Sequence, residues 1–236
     1  EFMADANSIE TTLKEKRRFK PDPAFAKRAN VPGQAAYKKL VREAEKSPEK
    51  FWARMAKQHV SWFSPWKKTL EWKPPFAKWF IGGKTNVSYN CLDRHLEGPN
   101  AWRRNKAAII WEGEPGDSRT LTYGDLHREV CKFANVLLAR GVEKGDRVVL
   151  YMPLVPELAI AMLACTRIGA PHSVIFGRFA PDAIRERIHD AQSTVLLTAD
   201  GGWRRGGIVP LKKNVDEALS ECPDVGTVVV LKRTGQ

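Results

Sequence analysis

The sequence predicts an α/β fold: a partial parallel sheet with helices on both faces, preceded by a helical and irregular segment rich in tryptophan. Three observations carry this expectation. Beyond residue 106, near-continuous apolar runs of strand length alternate with helical segments, as in a parallel sheet covered on both sides. Earlier in the chain, Pro65, Pro74, Pro75, Gly82 and Gly83 break up any sustained period across residues 61–88. Six of the eight tryptophans, Trp52, Trp62, Trp66, Trp72, Trp79 and Trp102, fall in that earlier part. So many rings in irregular chain suggest a segment pinned by its aromatics against a larger body. The expected organisation is a segment 4–105 and a truncated α/β subdomain 106–236. Glu1-Phe2-Met3 reads as a cloning scar before the native start.

Taken in order, residues 34–46 form a first helix. A second begins at Ser47-Pro48, an N-cap followed by proline at the first helical position. Asn90 is placed to cap a helix over 91–96. Residues 107–111 and 120–123 are short β-type runs joined by Glu114-Pro115-Gly116-Asp117, a turn sequence, and so predict a hairpin. Thr122 then caps a helix, with Asp125 three residues on completing a capping box. Leu126, Val130, Phe133, Ala134, Leu137 and Leu138 supply its apolar face, and Gly141 its stop. From there strand and helix alternate: strands over 147–152, 173–176, 194–198 and 227–231, helices over 156–168, 181–191 and 213–220. Right-handed crossovers are expected between the strands.

At 236 residues, 43% hydrophobic and 28% charged, the chain is long enough for one large core or two small ones. The 39 Lys and Arg against 27 Asp and Glu leave +12, most of it in the first third. Such a balance favours anionic partners: phosphorylated small molecules, nucleic acid or acidic surfaces. The sequence shows no nucleic-acid motif, and the run Lys14-Glu15-Lys16-Arg17-Arg18 reads as a solvated arm, a nuclear-localisation signal being the alternative. Cys91, Cys131, Cys165 and Cys222 are widely spaced, without a CxxC pair or histidines at zinc spacing. They imply a reducing, cytoplasmic location with neither disulfides nor a metal site. No apolar stretch approaches membrane-spanning length, so no membrane partner is expected.

Several motifs bear on chemistry. Gly82-Gly83-Lys84-Thr85 contains the tail of a P-loop, but the first glycine of that motif falls on Lys78 and no apolar strand leads in, so it reads as a turn. His59, His95, His127, His172 and His189 show no triad spacing. Two loops remain at the carboxyl ends of predicted strands, where ligands gather in doubly wound sheets. In Phe176-Gly177-Arg178-Phe179, a ring, a glycine and a cation follow one strand. In Gly201-Gly202-Trp203-Arg204-Arg205-Gly206-Gly207, four glycines and two arginines follow the next, with Lys212 and Lys213 shortly after. Exposed amides and guanidinium forks suit phosphate oxygens; a plain mobile surface loop is equally compatible with this composition.

From Val87-Ser88-Tyr89-Asn90-Cys91-Leu92-Asp93 onward the chain resembles the AMP-forming acetyl-CoA synthetases. The stretches that carry the likeness are Leu121-Thr122-Tyr123-Gly124-Asp125-Leu126, Tyr151-Met152-Pro153-Leu154-Val155-Pro156-Glu157, His172-Ser173-Val174-Ile175-Phe176-Gly177, Pro210-Leu211-Lys212-Lys213-Asn214-Val215-Asp216 and Val228-Val229-Val230-Leu231-Lys232-Arg233-Thr234. The Thr-Tyr-Gly-Asp-Leu start is shared by the wider adenylate-forming superfamily. The resemblance covers about the last 150 residues, and Phe51-Trp52 and Trp62 extend it into the leading segment. It implies the first part of the large N-terminal domain of a ligase. That ligase joins acetate and ATP into acetyl-adenylate and pyrophosphate, with Mg²⁺ assisting, then transfers the acetyl group to CoA and releases AMP.

The resemblance further implies that the CoA nucleotide meets Phe176, Gly177 and Arg178, where adenine packs, and Arg204, Arg205, Gly206 and Gly207, where arginines meet phosphates. Arg178 stands where many relatives have glycine. Gly207 stands where many bacterial relatives carry a second arginine, with Arg205 beside it to supply the charge. The ATP loop, acetate pocket and catalytic lysine are expected beyond residue 236, so no catalytic residue is assigned and the chain alone is expected to be inert. Acetate, ATP and CoA are the expected partners. A propionyl-CoA or other short-chain synthetase is the alternative within the class, and a non-catalytic basic module holding anions or nucleic acid the alternative outside it.

Overall fold

The computed structural model describes residues 18–235. The Glu1-Phe2-Met3 start and, apart from Arg18, the basic run 14–18 lie outside them. The chain divides into two compact units between His59 and Val60.

The first unit contains helices α1 (Pro23–Arg28), α2 (Gly33–Lys46) and α3 (Pro48–His59). The last two are those predicted. α1 was not, although Asp22 caps it by accepting a hydrogen bond from Phe25 N at 2.9 Å and Pro23 opens it. Glu43 of α2 pairs with Arg54 of α3 at 2.7 Å; both side chains are exposed, so the pair contributes about 1 kcal/mol or less.

The second unit opens with a hairpin where irregular chain was expected: β1 (Lys68–Lys73) antiparallel to β2 (Phe76–Ile81). Pro74 and Pro75, read as interruptions, are the turn itself, with Lys73 opposite Phe76. Trp62, Trp66 and Phe80 pack on one another at 4.9–5.4 Å between ring centroids. Trp72, Phe76 and Trp79 stand exposed instead. A strand does lead into Gly82-Gly83-Lys84-Thr85, contrary to expectation. Gly83 nonetheless serves packing, since a Cβ there would lie 2.6 Å from the Trp62 ring.

The predicted helix 91–96 is displaced. Asn86, not Asn90, is the cap, accepting from Tyr89 N at 3.0 Å, and α4 runs Val87–Cys91, followed by a 3-10 turn Asp93–His95. Asn90 is occupied elsewhere: it accepts from Ser61 N at 2.7 Å and donates to Ser61 O at 3.1 Å. A 3-10 stretch Gly98–Asn105 leads to the expected hairpin of β3 (Ala107–Glu112) and β4 (Ser118–Thr122). α5 (Tyr123–Ala139) carries the predicted capping box, and Gly141, at φ 81°, takes the left-handed conformation just past its end. Leu126, Val130, Ala134 and Leu137 are buried along it, whereas Leu138 is 53% exposed and lies off the apolar face.

Then follow β5 (Val148–Met152), α6 (Pro156–Ile168), β6 (His172–Phe176), α7 (Pro181–Ala191), β7 (Val195–Ala199), the short strands β8 (Gly202–Arg204) and β9 (Gly207–Val209), α8 (Leu211–Leu219) and β10 (Thr227–Leu231). The four long strands form one parallel sheet in the order β10-β7-β5-β6. Successive residues of β5 point to opposite faces. Val148, Leu150 and Met152 join a core with α5 and α6; Val149 and Tyr151 join another with α7 and α8. The predicted class holds: an α/β sheet with helices on both faces. Burying one Leu- or Ile-sized side chain in either layer stabilises the fold by about 1.5–3 kcal/mol.

Candidate functional site

The carboxyl ends of β5, β6 and β7 open onto a cleft of about 280 Å³. Phe176, Gly177, Arg178 and Arg204 line it, together with Trp111, Glu114, Trp203 and Arg233. The two loops singled out in the sequence therefore share one site, although β5 lies between their strands and they are not next to each other in the sheet. The Arg204 guanidinium carbon stands 5.7 Å from the centroid of the Phe176 ring, which is half exposed. A cation over an exposed ring gains about 0.5–1 kcal/mol, enough to favour this arrangement while leaving the guanidinium edges free for hydrogen bonds.

The glycine- and arginine-rich stretch is a hairpin, not a plain mobile loop. Arg204 pairs with Gly207 across β8 and β9, and Arg205 (φ 52°) and Gly206 (φ 75°) form its two-residue turn. Two successive residues at positive φ define the turn that matches strand twist, and glycine occupies the second position without strain. This sets Arg205, Gly206 and Gly207 apart from Arg204, since none of the three lines the cleft. Gly206 N donates to Glu114 Oε1 at 2.6 Å, bringing a carboxylate to the hairpin tip. Lys212 pairs with Asp216 at 2.6 Å, and neither Lys212 nor Lys213 reaches the cleft.

Tyr151 supports the other loop from below. Fully buried, it shares its hydroxyl proton between Gly177 O at 3.3 Å and Phe179 O at 3.1 Å, and accepts from Asn214 Nδ2 at 3.2 Å. Burial raises its pKa, so the neutral donor persists. At Gly177 a Cβ would meet only ordinary contacts, 3.6 Å from Leu211. Neither strained backbone nor a steric clash thus demands this glycine.

Sequence reasoning missed Trp111, Glu114, Asp200 and Arg233. Trp111 Nε1 donates to Leu154 O at 2.8 Å, and Arg233 lies over the Trp111 ring at 5.1 Å while pairing with Asp117 at 2.9 Å. Arg233 lies two residues past the end of β10, so the strand-end rule applied to Phe176 would have found it. Nothing in the turn sequence marks Glu114. Asp200, directly after β7, is 7% exposed. Burial pushes its carboxyl up, but hydrogen bonds from the backbone N–H groups of Thr234, Arg233, Gly235 and Gly201 outweigh this and hold it far below the usual carboxylate range.

Elsewhere, the fold gathers three residues that the sequence left apart. Asp93 Oδ1 lies 3.1 Å and Cys131 Sγ 3.7 Å from the same atom, His127 Nε2. A nucleophile–base–acid relay needs the two imidazole nitrogens on different partners. Asp93 is moreover held by Arg167 through two 2.8 Å bonds. The cluster is an ion-paired tie between α6 and the 3-10 turn. All four cysteines are free.

Residues 97–236 match the family of AMP-binding enzymes, and residues 37–91 match the acetyl-coenzyme A synthetase N-terminus. The chain is 50% identical to the acetyl-coenzyme A synthetase of Chlorobaculum tepidum, over 98% of its own length and 34% of the relative's. It is 52% identical to that of Gemmatimonas aurantiaca, over 96% and 34% of the two chains. With that of Leptospira biflexa the identity is 55%, over 94% and 34%. The chain thus spans about a third of the length of these curated relatives. With an α/β fold, a cleft at the strand ends and the AMP-binding match over more than half of its length, this chain belongs to the AMP-binding enzyme family, where its relatives are acetyl-coenzyme A synthetases.

Proposed function

We propose that the chain is the N-terminal portion of an AMP-forming acetate–CoA ligase and contributes part of its CoA nucleotide site. The observation that carries this is the meeting of Arg204 and Phe176 in one cleft at the strand ends. A flat exposed ring suits a purine face, and a guanidinium fork suits phosphate oxygens. In the proposed reaction an acetate oxygen attacks the α-phosphorus of ATP and pyrophosphate leaves. The CoA thiol then loses its proton and attacks the acyl carbon, releasing AMP. This chain's part is to bind and orient: Phe176, Gly177 and Arg178 beside the adenine, Arg204 toward the phosphates, Arg205 nearby at the hairpin tip.

Among the described residues no three His, Cys, Asp or Glu side chains gather to hold a metal. In this reading Mg²⁺ assists the reaction of the full-length ligase. Acetate, ATP and CoA are the proposed partners and the cytoplasm the proposed location; nucleic acid and membranes are not included. Among the described residues no helix is long and apolar enough to cross a membrane. No feature of the cleft favours the nucleic-acid module over the ligase.

The test is a CoA titration of the full-length protein, wild type against Arg204→Ala, at fixed ionic strength. One charge-assisted hydrogen bond at an exposed edge contributes about 1.5 kcal/mol, so KM for CoA should rise about tenfold while KM for ATP stays put. An unchanged KM for CoA with a raised KM for ATP would overturn the assignment.

A further inference from the structure

Two cationic segments border the cleft, the β8–β9 hairpin carrying Arg204 and the chain that follows β10 carrying Arg233. They are separated by more than a helix in sequence, yet one side chain stands at the root of both. Asp200 Oδ1 accepts from Gly201 N at 2.7 Å, Arg233 N at 2.8 Å and Thr234 N at 2.9 Å; Oδ2 accepts from Gly235 N at 2.7 Å. Its own N–H donates to Leu231 O at 2.9 Å, and its carbonyl accepts from Lys212 N at the start of α8, at 3.2 Å.

We infer that Asp200 is the positioning residue for Arg204: its buried carboxylate pins the root of the arginine hairpin to the chain end of β10 and so fixes where the guanidinium meets the ligand. The inference rests on the CoA reading above. Only a carboxylate offers two oxygens with about four acceptor sites and no competing donor. An asparagine would turn an N–H toward amides that are themselves donors. The junction is also close-packed. A Cβ on Gly201 would lie 2.7 Å from Thr234 Oγ1 and 2.9 Å from Ile208 Cγ2. The Thr234 hydroxyl is buried without a hydrogen-bond partner among the described residues, so beside the Arg233–Asp117 ion pair it is the main chain, through Asp200, that holds this segment. A shift there would swing a hairpin whose working residue lies four positions away. Displacement of an ångström at such a distance is enough to weaken an oriented contact.

Four full-length proteins decide it: wild type, Asp200→Asn, Arg204→Ala and the double variant, each assayed for kcat and for KM toward CoA and ATP. Asp200→Asn should raise KM for CoA roughly three- to tenfold and leave KM for ATP within about twofold. On top of Arg204→Ala it should add less than about twofold, because the group it positions is already gone. Equal losses toward both nucleotides would mean that Asp200 merely stabilises the fold, and a full additional factor in the double variant would mean that it does not act through Arg204. An Arg204→Ala enzyme with unchanged KM for CoA is a different outcome, one that removes the underlying CoA reading. If Asp200→Asn does not fold, Gly201→Ala disturbs the same junction from the other side. It should give the same selective rise in KM for CoA, and a Gly201→Ala enzyme unaltered toward CoA would refute the inference.

Discussion

Glu114 shows how one residue can oppose the charge of a site. Its carboxylate, 2.6 Å from Gly206 N, satisfies a backbone donor at the hairpin tip and faces the same cleft as Arg204. An approaching phosphate meets this negative charge along with the guanidinium groups, and like charges in a partly wet cleft repel by about 1 kcal/mol. Glu114→Gln keeps an acceptor for Gly206 and removes the charge, so KM for CoA should fall about two- to fourfold, with the gain shrinking as salt is raised. A rise in KM would show that the carboxylate supports the hairpin more than it repels the ligand.

Elements place these residues by simple devices. The capping box of Thr122 and Asp125 starts α5 where β4 ends, and Gly141 stops it before β5. Tyr151, on the fully buried strand β5, ties the loop after β6 to Asn214 of α8. Tyr151→Phe keeps the ring in the core but leaves Asn214 and the loop carbonyls without this partner. A lost buried hydrogen bond of this kind costs about 1–3 kcal/mol, so the melting temperature should drop by several degrees in a chain of this size. The loop bearing Phe176 and Gly177 should loosen with it, raising KM for CoA. A variant with an unchanged melting temperature would show that the Tyr151 hydroxyl is not what ties the loop to α8.

At the scale of the whole molecule, the proposed CoA contacts gather at one end of the sheet. The cleft lies at the end of a four-stranded sheet, and the chain matches about a third of the length of its relatives. The resemblance assigns ATP loop and catalytic lysine to positions past residue 236, so these 236 residues alone should catalyse no acetate-dependent pyrophosphate exchange. The assay compares the purified chain with a heat-killed control. Exchange above that control would mean that adenylation residues lie within this sequence after all.

The sequence by itself determined the elements whose causes are local. Near-continuous apolar runs specify buried parallel strands, Thr122 with Asp125 specifies a helix start, and Pro48 at a first helical turn specifies another. It also placed Phe176 and Arg204 near strand ends, where the cleft opens. Tertiary structure decided whatever depends on partners distant in the chain. Asn90 lost its capping role because Ser61 offered it two backbone hydrogen bonds. Pro74-Pro75 became a turn rather than a break because two aromatic strands could pair across it. The two loops met although β5 separates their strands, and Arg205 and Gly206 parted from Arg204 because they form the hairpin's two-residue turn. Asp200, ordinary in composition, became a four-amide anchor only once β7 and β10 ended side by side, since a carboxylate's hydrogen bonds to chain more than thirty residues away exist in space and not in sequence.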